Sequence, residues 1–266
     1  MSNLFQRTAT AITLIAVILG SLFILNKQAA TFVFLLFLSF GSWEWGGFLF
    51  PRNVFFKLLY SFFFLVISIC FYIVLTLIDS LSSFYWLALV WWLIIILLLL
   101  KSYKEVTSFW VALSGYLIMI PAAVALLGLI RIDHGEFLII SAISIVSAAD
   151  IGAYFFGKKF GKSKLAPSIS PGKTWEGFFG GLIFSLFIGC ILAASLGYHV
   201  FLFTLTAGLL AILSLIGDLT VSAFKRQAGL KDSGFFLPGH GGVLDRIDGL
   251  VAALPLFMIM LEWMKT

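Results

Sequence analysis

Two stretches of this chain hold side chains that could manage phosphate chemistry. The later one runs Gly217-Asp218-Leu219-Thr220-Val221-Ser222-Ala223-Phe224-Lys225-Arg226, then Lys231-Asp232, then Pro238-Gly239-His240-Gly241-Gly242-Val243-Leu244-Asp245-Arg246-Ile247-Asp248. If a helix continues past Asp218, then Asp218, Ser222 and Lys225 fall at i, i+4 and i+7 on one face. Asp245 and Asp248, at i and i+3, suit the start of another helix, where carboxylates meet the positive end of the dipole. Two carboxylates from different helix ends, beside several cations, are what a Mg²⁺ site serving phosphates requires. Mg²⁺ keeps one or two carboxylates and fills its octahedron with water and phosphate oxygens. The competing reading is that these acids pair with Arg226 and Arg246 or cap a helix. Ionisable groups at membrane depth lean functional, and the whole cluster favours a site.

The loop Pro238-Gly239-His240-Gly241-Gly242 holds three glycines, which let backbone N–H groups approach a phosphate closely. A turn with no ligand is the alternative. His240 could donate a hydrogen bond, stand as a cation near phosphate, or be structural. The earlier stretch runs Asp150-Ile151-Gly152-Ala153-Tyr154-Phe155-Phe156-Gly157, a basic run, then Ser170-Pro171-Gly172-Lys173-Thr174-Trp175-Glu176-Gly177. Its Gly-Lys-Thr is not a P-loop: that pattern needs a glycine where this chain has Pro167, and the expected context is membrane helix rather than strand–loop–helix. Lys173 remains a candidate phosphate ligand as a point charge. Asp150, near the end of an apolar run, needs a partner or a metal. Lys158, Lys159, Lys162 and Lys164 read first as topology signals or as attraction to anionic head groups.

The elements that must position these residues are membrane spans. Of 266 residues 62% are apolar and 11% charged, with 30 Phe, 8 Trp and a mean hydropathy of +1.13. Soluble domains carry about a quarter charged residues. The composition therefore excludes an ordinary soluble enzyme, a disordered chain and a nucleic-acid-binding domain, despite the net charge of +5. A helix needs roughly 20 apolar residues to cross the hydrocarbon core. Such runs cover 8–26, 29–48, 55–78, 84–100, 107–130, 136–156, 175–196, 199–221 and 247–264. The expected fold is all-α: a polytopic membrane protein of about nine transmembrane helices forming one membrane-embedded domain over 1–266. Residues 1–135 are mainly scaffold, and 136–266 carry the site. The first run is read as a retained span rather than a signal peptide, because it is long for an h-region and the rest of the chain is polytopic.

With a cytoplasmic N-terminus, 14 of the 17 basic residues fall on the cytoplasmic side, among them Arg7, Arg52, Lys57, Lys101 and Lys104; Lys27, Arg131 and Lys265 fall outside. The positive-inside rule predicts that asymmetry. The C-terminus is then outside and the membrane is the cell (inner) membrane. Residues 150–176 and 218–248 hold 15 of the 29 charges, both on the cytoplasmic side. Elsewhere the residues read as structure. Gly177 and Gly181 are spaced for close helix packing, Trp91 and Trp92 suit interfacial belts, and Cys70 and Cys190 lie in apolar runs that suggest neither disulfide nor zinc. Glu44, between Trp43 and Trp45, is either a polar tie between helices or a support for the site.

The run Ser222-x-Phe224-Lys225-Arg226, Lys231-Asp232, Pro238-Gly239-His240-Gly241-Gly242-x-x-Asp245-Arg246-x-Asp248 resembles the signature of the CDP-diacylglycerol synthases, or phosphatidate cytidylyltransferases, at every motif position. The Asp150-x-Gly152-Ala153-Tyr154 and Ser170-Pro171-x-Lys173-Thr174-x-Glu176-Gly177 blocks are similar to that family's. The resemblance implies nine membrane helices in a homodimer, with a cavity open to cytoplasm and membrane. It implies transfer of CMP from CTP to phosphatidate with Mg²⁺, and a K⁺ ion beside it. Asp218 and Asp245 would stand on the metal with Asp248 nearby, and Lys173, Lys225, Arg226, Lys231 and Arg246 around the phosphates. On this basis Asp218, Asp245, Lys225 and Arg226 are the catalytic candidates. Lys173, Ser222, Lys231, Asp232, His240, Gly241, Gly242, Arg246, Asp248 and Asp150 are the substrate-binding ones. Rivals are an ether-lipid cytidylyltransferase, a polyprenol kinase, or a transporter of an anionic substrate. A transporter would place its site near the midplane between inverted repeats, and neither is visible here.

Overall fold

The computed structural model describes residues 3–101 and 106–265. Among the described residues there are nine α-helices: α1 (Asn3–Phe23), α2 (Lys27–Leu49), α3 (Val54–Leu77), α4 (Leu81–Lys101), α5 (Ser108–Arg131), α6 (Gly135–Phe160), α7 (Trp175–Leu196), α8 (Val200–Gln227) and α9 (Leu244–Lys265). Eight are long and apolar enough to cross a membrane, so the chain is an all-α, multi-pass membrane protein. Each expected run corresponds to one helix. Lys104 lies outside the described residues, as do the side chains of Lys101 and Lys265.

The helix starts are set by short polar caps. Asn26 accepts the amide of Ala29 at 2.8 Å, Asn53 that of Phe56 at 3.2 Å, and Thr174 that of Gly177 at 3.1 Å. Inside the bundle, α5 and α9 form the core: 83% and 72% of their most apolar windows are buried, against 6% for α1. Lipid tails are as apolar as the helices, so association rests on close packing and polar ties. Trp45 donates to the Val111 carbonyl at 2.9 Å and Ser61 to that of Ser39 at 2.8 Å, pinning α2 to α5 and α3 to α2.

The tightest seam joins α6 to α7, as the spacing of Gly177 and Gly181 predicts. A Cβ at Gly177 would stand 2.8 Å from the Ala153 carbonyl oxygen, so only glycine lets the backbones approach this closely.

Two local features depart from the sequence reading. α6 continues to Phe160, so Lys158 and Lys159 occupy its last turn instead of a loop. Between α6 and α7 the chain forms an antiparallel hairpin, β1 (Lys164–Ala166) with β2 (Ser170–Thr174), and Lys173 therefore lies on a strand. The hairpin is tied at its open end. The Trp175 amide donates to the Ser163 carbonyl at 3.0 Å, and the Ser163 amide donates to the Glu176 carboxylate at 3.1 Å. β2 runs directly into α7 with no intervening loop, which again differs from a P-loop.

One end of the bundle collects the start of α1, the α2–α3 turn, the start of α5, the hairpin and the α8–α9 loop. Arg7 reaches Gly239, Glu44 reaches Val243, Gln227 reaches the Val106 carbonyl and Arg226 reaches Ile169. The alternation of nine helices brings these connections to the same end, as their basic residues imply.

Candidate active site

The site is built at that end from α6, α8, α9 and the hairpin. α8 remains helical past Asp218, so the expected face forms: the Ser222 hydroxyl donates to Asp218 Oδ1 at 3.1 Å. The hairpin carries Lys173 over this face, where its ammonium pairs with Asp218 Oδ2. Lys173 also faces the carboxylates of Asp150 and Asp248. Burial pushes the Lys173 ammonium toward neutrality, but the surrounding carboxylates, Asp218 first, outweigh it and hold its pKa above the ordinary lysine range. A recess of about 30 Å³ beside it is lined by Asp150, Lys173, Gly181 and Ser214, room for only a few water-sized groups.

A second pair stands about two turns further along α8. Lys225 Nζ donates to Asp245 Oδ1 at 2.6 Å, with the two side chains 10% and 8% exposed. Asp245 Oδ2 accepts the amides of Ser233 at 2.9 Å and Gly242 at 3.0 Å. Asp248, one turn along α9, lies near enough to Asp218, Lys225 and Lys173 for their charges to act on it. The Gly242 amide, expected from sequence to face a phosphate, is in the structure engaged by Asp245.

The glycine loop is shaped by its own backbone. His240 N donates to Leu237 O at 2.9 Å around Pro238 and Gly239, and Gly239 takes φ +77°, a turn with proline first and glycine at the left-handed position. Arg246 donates to the His240 carbonyl at 2.9 Å. From α1, Arg7 donates to Gly239 O at 3.1 Å and Thr10 to Pro238 O at 2.8 Å. Partial burial, and then the charges of Arg246 and Arg7, depress the His240 imidazole below its usual pKa, so it is neutral at pH 7.

The remaining candidates divide. Arg226 donates to the carbonyls of Ile169 at 3.3 Å and Leu230 at 3.2 Å, tying the hairpin to the end of α8. Lys231 and Asp232 lie exposed on the α8–α9 loop. Asp232 lines a cleft of about 430 Å³ with Trp43, Lys57, Phe235 and Phe236.

Sequence reasoning left the role of Glu44 open and missed Ser233, Arg7 and Thr10. Glu44 is buried and accepts three hydrogen bonds: from the Ser233 hydroxyl at 2.8 Å and from the amides of Val243 at 3.0 Å and Leu244 at 2.8 Å. It caps α9 from another helix. A lone carboxylate in an otherwise apolar span was its signal; Arg7 and Thr10 offered none beyond lying near a helix start.

The sequence profile of the cytidylyltransferase family matches residues 5–264. The chain belongs to that family. It is similar to the phosphatidate cytidylyltransferase of Pseudomonas aeruginosa, 41% identical over 264 residues that cover 96% of each chain. The enzyme of the same name from Haemophilus influenzae is 44% identical over 177 residues, 59% of this chain and 60% of the relative. That from Staphylococcus aureus strain COL is 48% identical over 132 residues, 48% of this chain and 50% of the relative. For a cytidylyltransferase the donor set is apt. Asp150, Asp218, Asp245 and Asp248 offer only hard oxygens, which suit Mg²⁺ over zinc. Among the described residues no three His, Cys, Asp or Glu side chains converge into a ready cage. Mg²⁺ asks for none, since water and substrate phosphates complete its shell.

Proposed function

We propose that this chain is a phosphatidate cytidylyltransferase, transferring CMP from CTP to phosphatidate to give CDP-diacylglycerol and pyrophosphate for phospholipid synthesis. The observation that carries this reading is the pairing of Lys173 with Asp218 and of Lys225 with Asp245, with Asp248 near both, at one end of a membrane bundle. It is supported by the near full-length similarity to the Pseudomonas enzyme.

The nucleophile is an oxygen of the phosphatidate phosphate, already ionised at neutral pH, so the reaction needs no general base. That oxygen bonds to the α-phosphorus of CTP while the bond from the α-phosphorus to the bridging oxygen breaks, and pyrophosphate leaves with the electron pair. The barrier lies in bringing polyanions together: two unit charges ~4 Å apart repel by about 4 kcal/mol at an effective dielectric of ~20. Lys173, Lys225, Lys231 and Arg246 supply fixed positive charge against this, and Arg226 steadies the hairpin that delivers Lys173. Mg²⁺, held by Asp218 and Asp245 with Asp150 and Asp248 in support, would neutralise the phosphates further and stabilise the leaving pyrophosphate. A K⁺ ion beside it belongs to the same proposal. Ser222 and Asp218 keep each other's orientation. His240, Gly241 and Gly242 shape the loop, and Asp232 borders the open cleft through which CTP enters.

In this reading the site end faces the cytoplasm, the N-terminus is inside and the C-terminus outside, in the inner membrane of a bacterium. The chain works as a homodimer. Purified protein in detergent, given labelled CTP, phosphatidate and Mg²⁺, should form lipid-linked CMP and release pyrophosphate, and EDTA should stop both. Absence of both products with Mg²⁺ present would sink the proposal; EDTA-resistant turnover would remove the metal from it.

A further inference from the structure

A groove of about 220 Å³ runs between α1, α2, α5, α6 and α9 and shares no lining residue with the Asp232 cleft. Ile18, Phe34, Leu126, Ile143 and Leu250 line it, and its one neutral polar side chain, Ser21, donates its hydroxyl to the Ile18 carbonyl at 2.8 Å. An occupant therefore meets hydrocarbon along the groove's length. The exception is Arg246. Its guanidinium carries five donors, of which one bonds the His240 carbonyl, and Arg7 stands close enough for both charges to act on His240. The groove thus has a cationic mouth and an apolar shaft. Along α9 it extends from Arg246 to Leu254, eight residues or about 12 Å of helix. One leaflet of hydrocarbon is about 15 Å deep, half of the ~30 Å core. Arg246 also lies near enough to Asp150 for the two charges to interact, which sets the mouth beside the proposed reaction centre.

We propose that this groove seats one acyl chain of the lipid substrate, with the lipid's phosphomonoester at the Arg246 mouth. Charge complementarity at the mouth and an apolar shaft reaching through most of one leaflet select an anionic lipid over a peptide or a detergent-like neutral molecule. The proposal rests on the phosphatidate reading above, and two measurements separate their failures.

Phosphatidate carrying a diazirine at the end of one acyl chain is photolysed with the wild-type protein in micelles. The label should map to peptides around Ser21, Val33 and Leu254 and fall at least fivefold with excess unlabelled phosphatidate. Labelling confined to outward faces such as α3 or α7, or not competed, overturns the groove whatever the catalytic result. In the kinetic arm, Val33→Trp narrows the shaft. The ratio of KM for dipalmitoyl over dihexanoyl phosphatidate should rise at least tenfold relative to wild type, and an unchanged ratio overturns the assignment. If wild type transfers no CMP, the functional reading fails, and the competed crosslink alone decides the groove.

Discussion

Glu44 on α2 accepts the amide of Leu244, the residue that opens α9, at 2.8 Å across 200 positions of sequence. The same carboxylate holds Val243 and Ser233, and the Ser233 amide in turn holds Asp245. Asp245 is thereby aimed by a helix from the other half of the chain.

Glu44 is a positioning residue, and Glu44→Gln replaces one acceptor oxygen with a donor facing amides that also donate. Each buried group left unpaired costs about 1–3 kcal/mol. The variant should lose more than tenfold in kcat, with a smaller change in the KM for CTP, while remaining monodisperse in detergent. A fall in thermal stability with unchanged kcat would show that Glu44 serves the fold alone.

Asp218→Asn removes the negative partner of Lys173 and a proposed metal ligand, and turnover should drop at least a thousandfold in protein that still inserts and purifies. Lys159→Ala, in the exposed last turn of α6, should alter kcat/KM by less than about twofold. Near-normal turnover in the first, or a thousandfold loss in the second, would mean that the phosphates sit elsewhere.

The Lys225–Asp245 pair is nearly buried, and removing one partner from such a pair costs about 3–5 kcal/mol because the other charge is left uncompensated. Asp245→Asn and Lys225→Met should each lower the denaturation midpoint sharply, and the double variant should be less destabilised than the sum of the two. Additive losses in that cycle would show that the two side chains are not energetically coupled.

Lys173 has its pKa raised in the fold, above the ~10.4 of an unfolded lysine. A raised cation stabilises the fold fully below the unfolded pKa and loses that contribution as pH rises through the folded one. The stability gap between wild type and Lys173→Met should therefore hold steady from pH 7 to about 9.5 and close only in more alkaline solution. A gap that closes near neutrality would mean that Lys173 is not surrounded by carboxylates.

The spans were legible because an apolar run of about 20 residues is a physical requirement of the bilayer, and α2 through α9 follow those runs closely. The Asp218–Ser222 contact was legible because i, i+4 spacing fixes neighbours on a helix. The hairpin at 164–174 was not, since five polar and proline-bearing residues on a strand carry no alternation to detect. Nor were the partners of Glu44, or the bonds from Arg7 and Thr10 to the glycine loop, because pairings across some 200 residues leave no trace in local pattern. Lys225 shows the limit most clearly. Its spacing suggested the company of Asp218, yet it reaches instead across to α9, where Asp245 sits.

α8 has 28 residues, so it spans about 42 Å at 1.5 Å per residue, against a hydrocarbon core of about 30 Å. Asp218 stands about 27 Å along it from Val200, and Lys225 about 37 Å. The helix is in effect a ruler between the far surface of the membrane and the proposed site. A thicker bilayer draws Asp218 and Lys225 toward hydrocarbon and a thinner one lifts them into water, so hydrophobic mismatch becomes a variable of the proposed chemistry as well as of the fold.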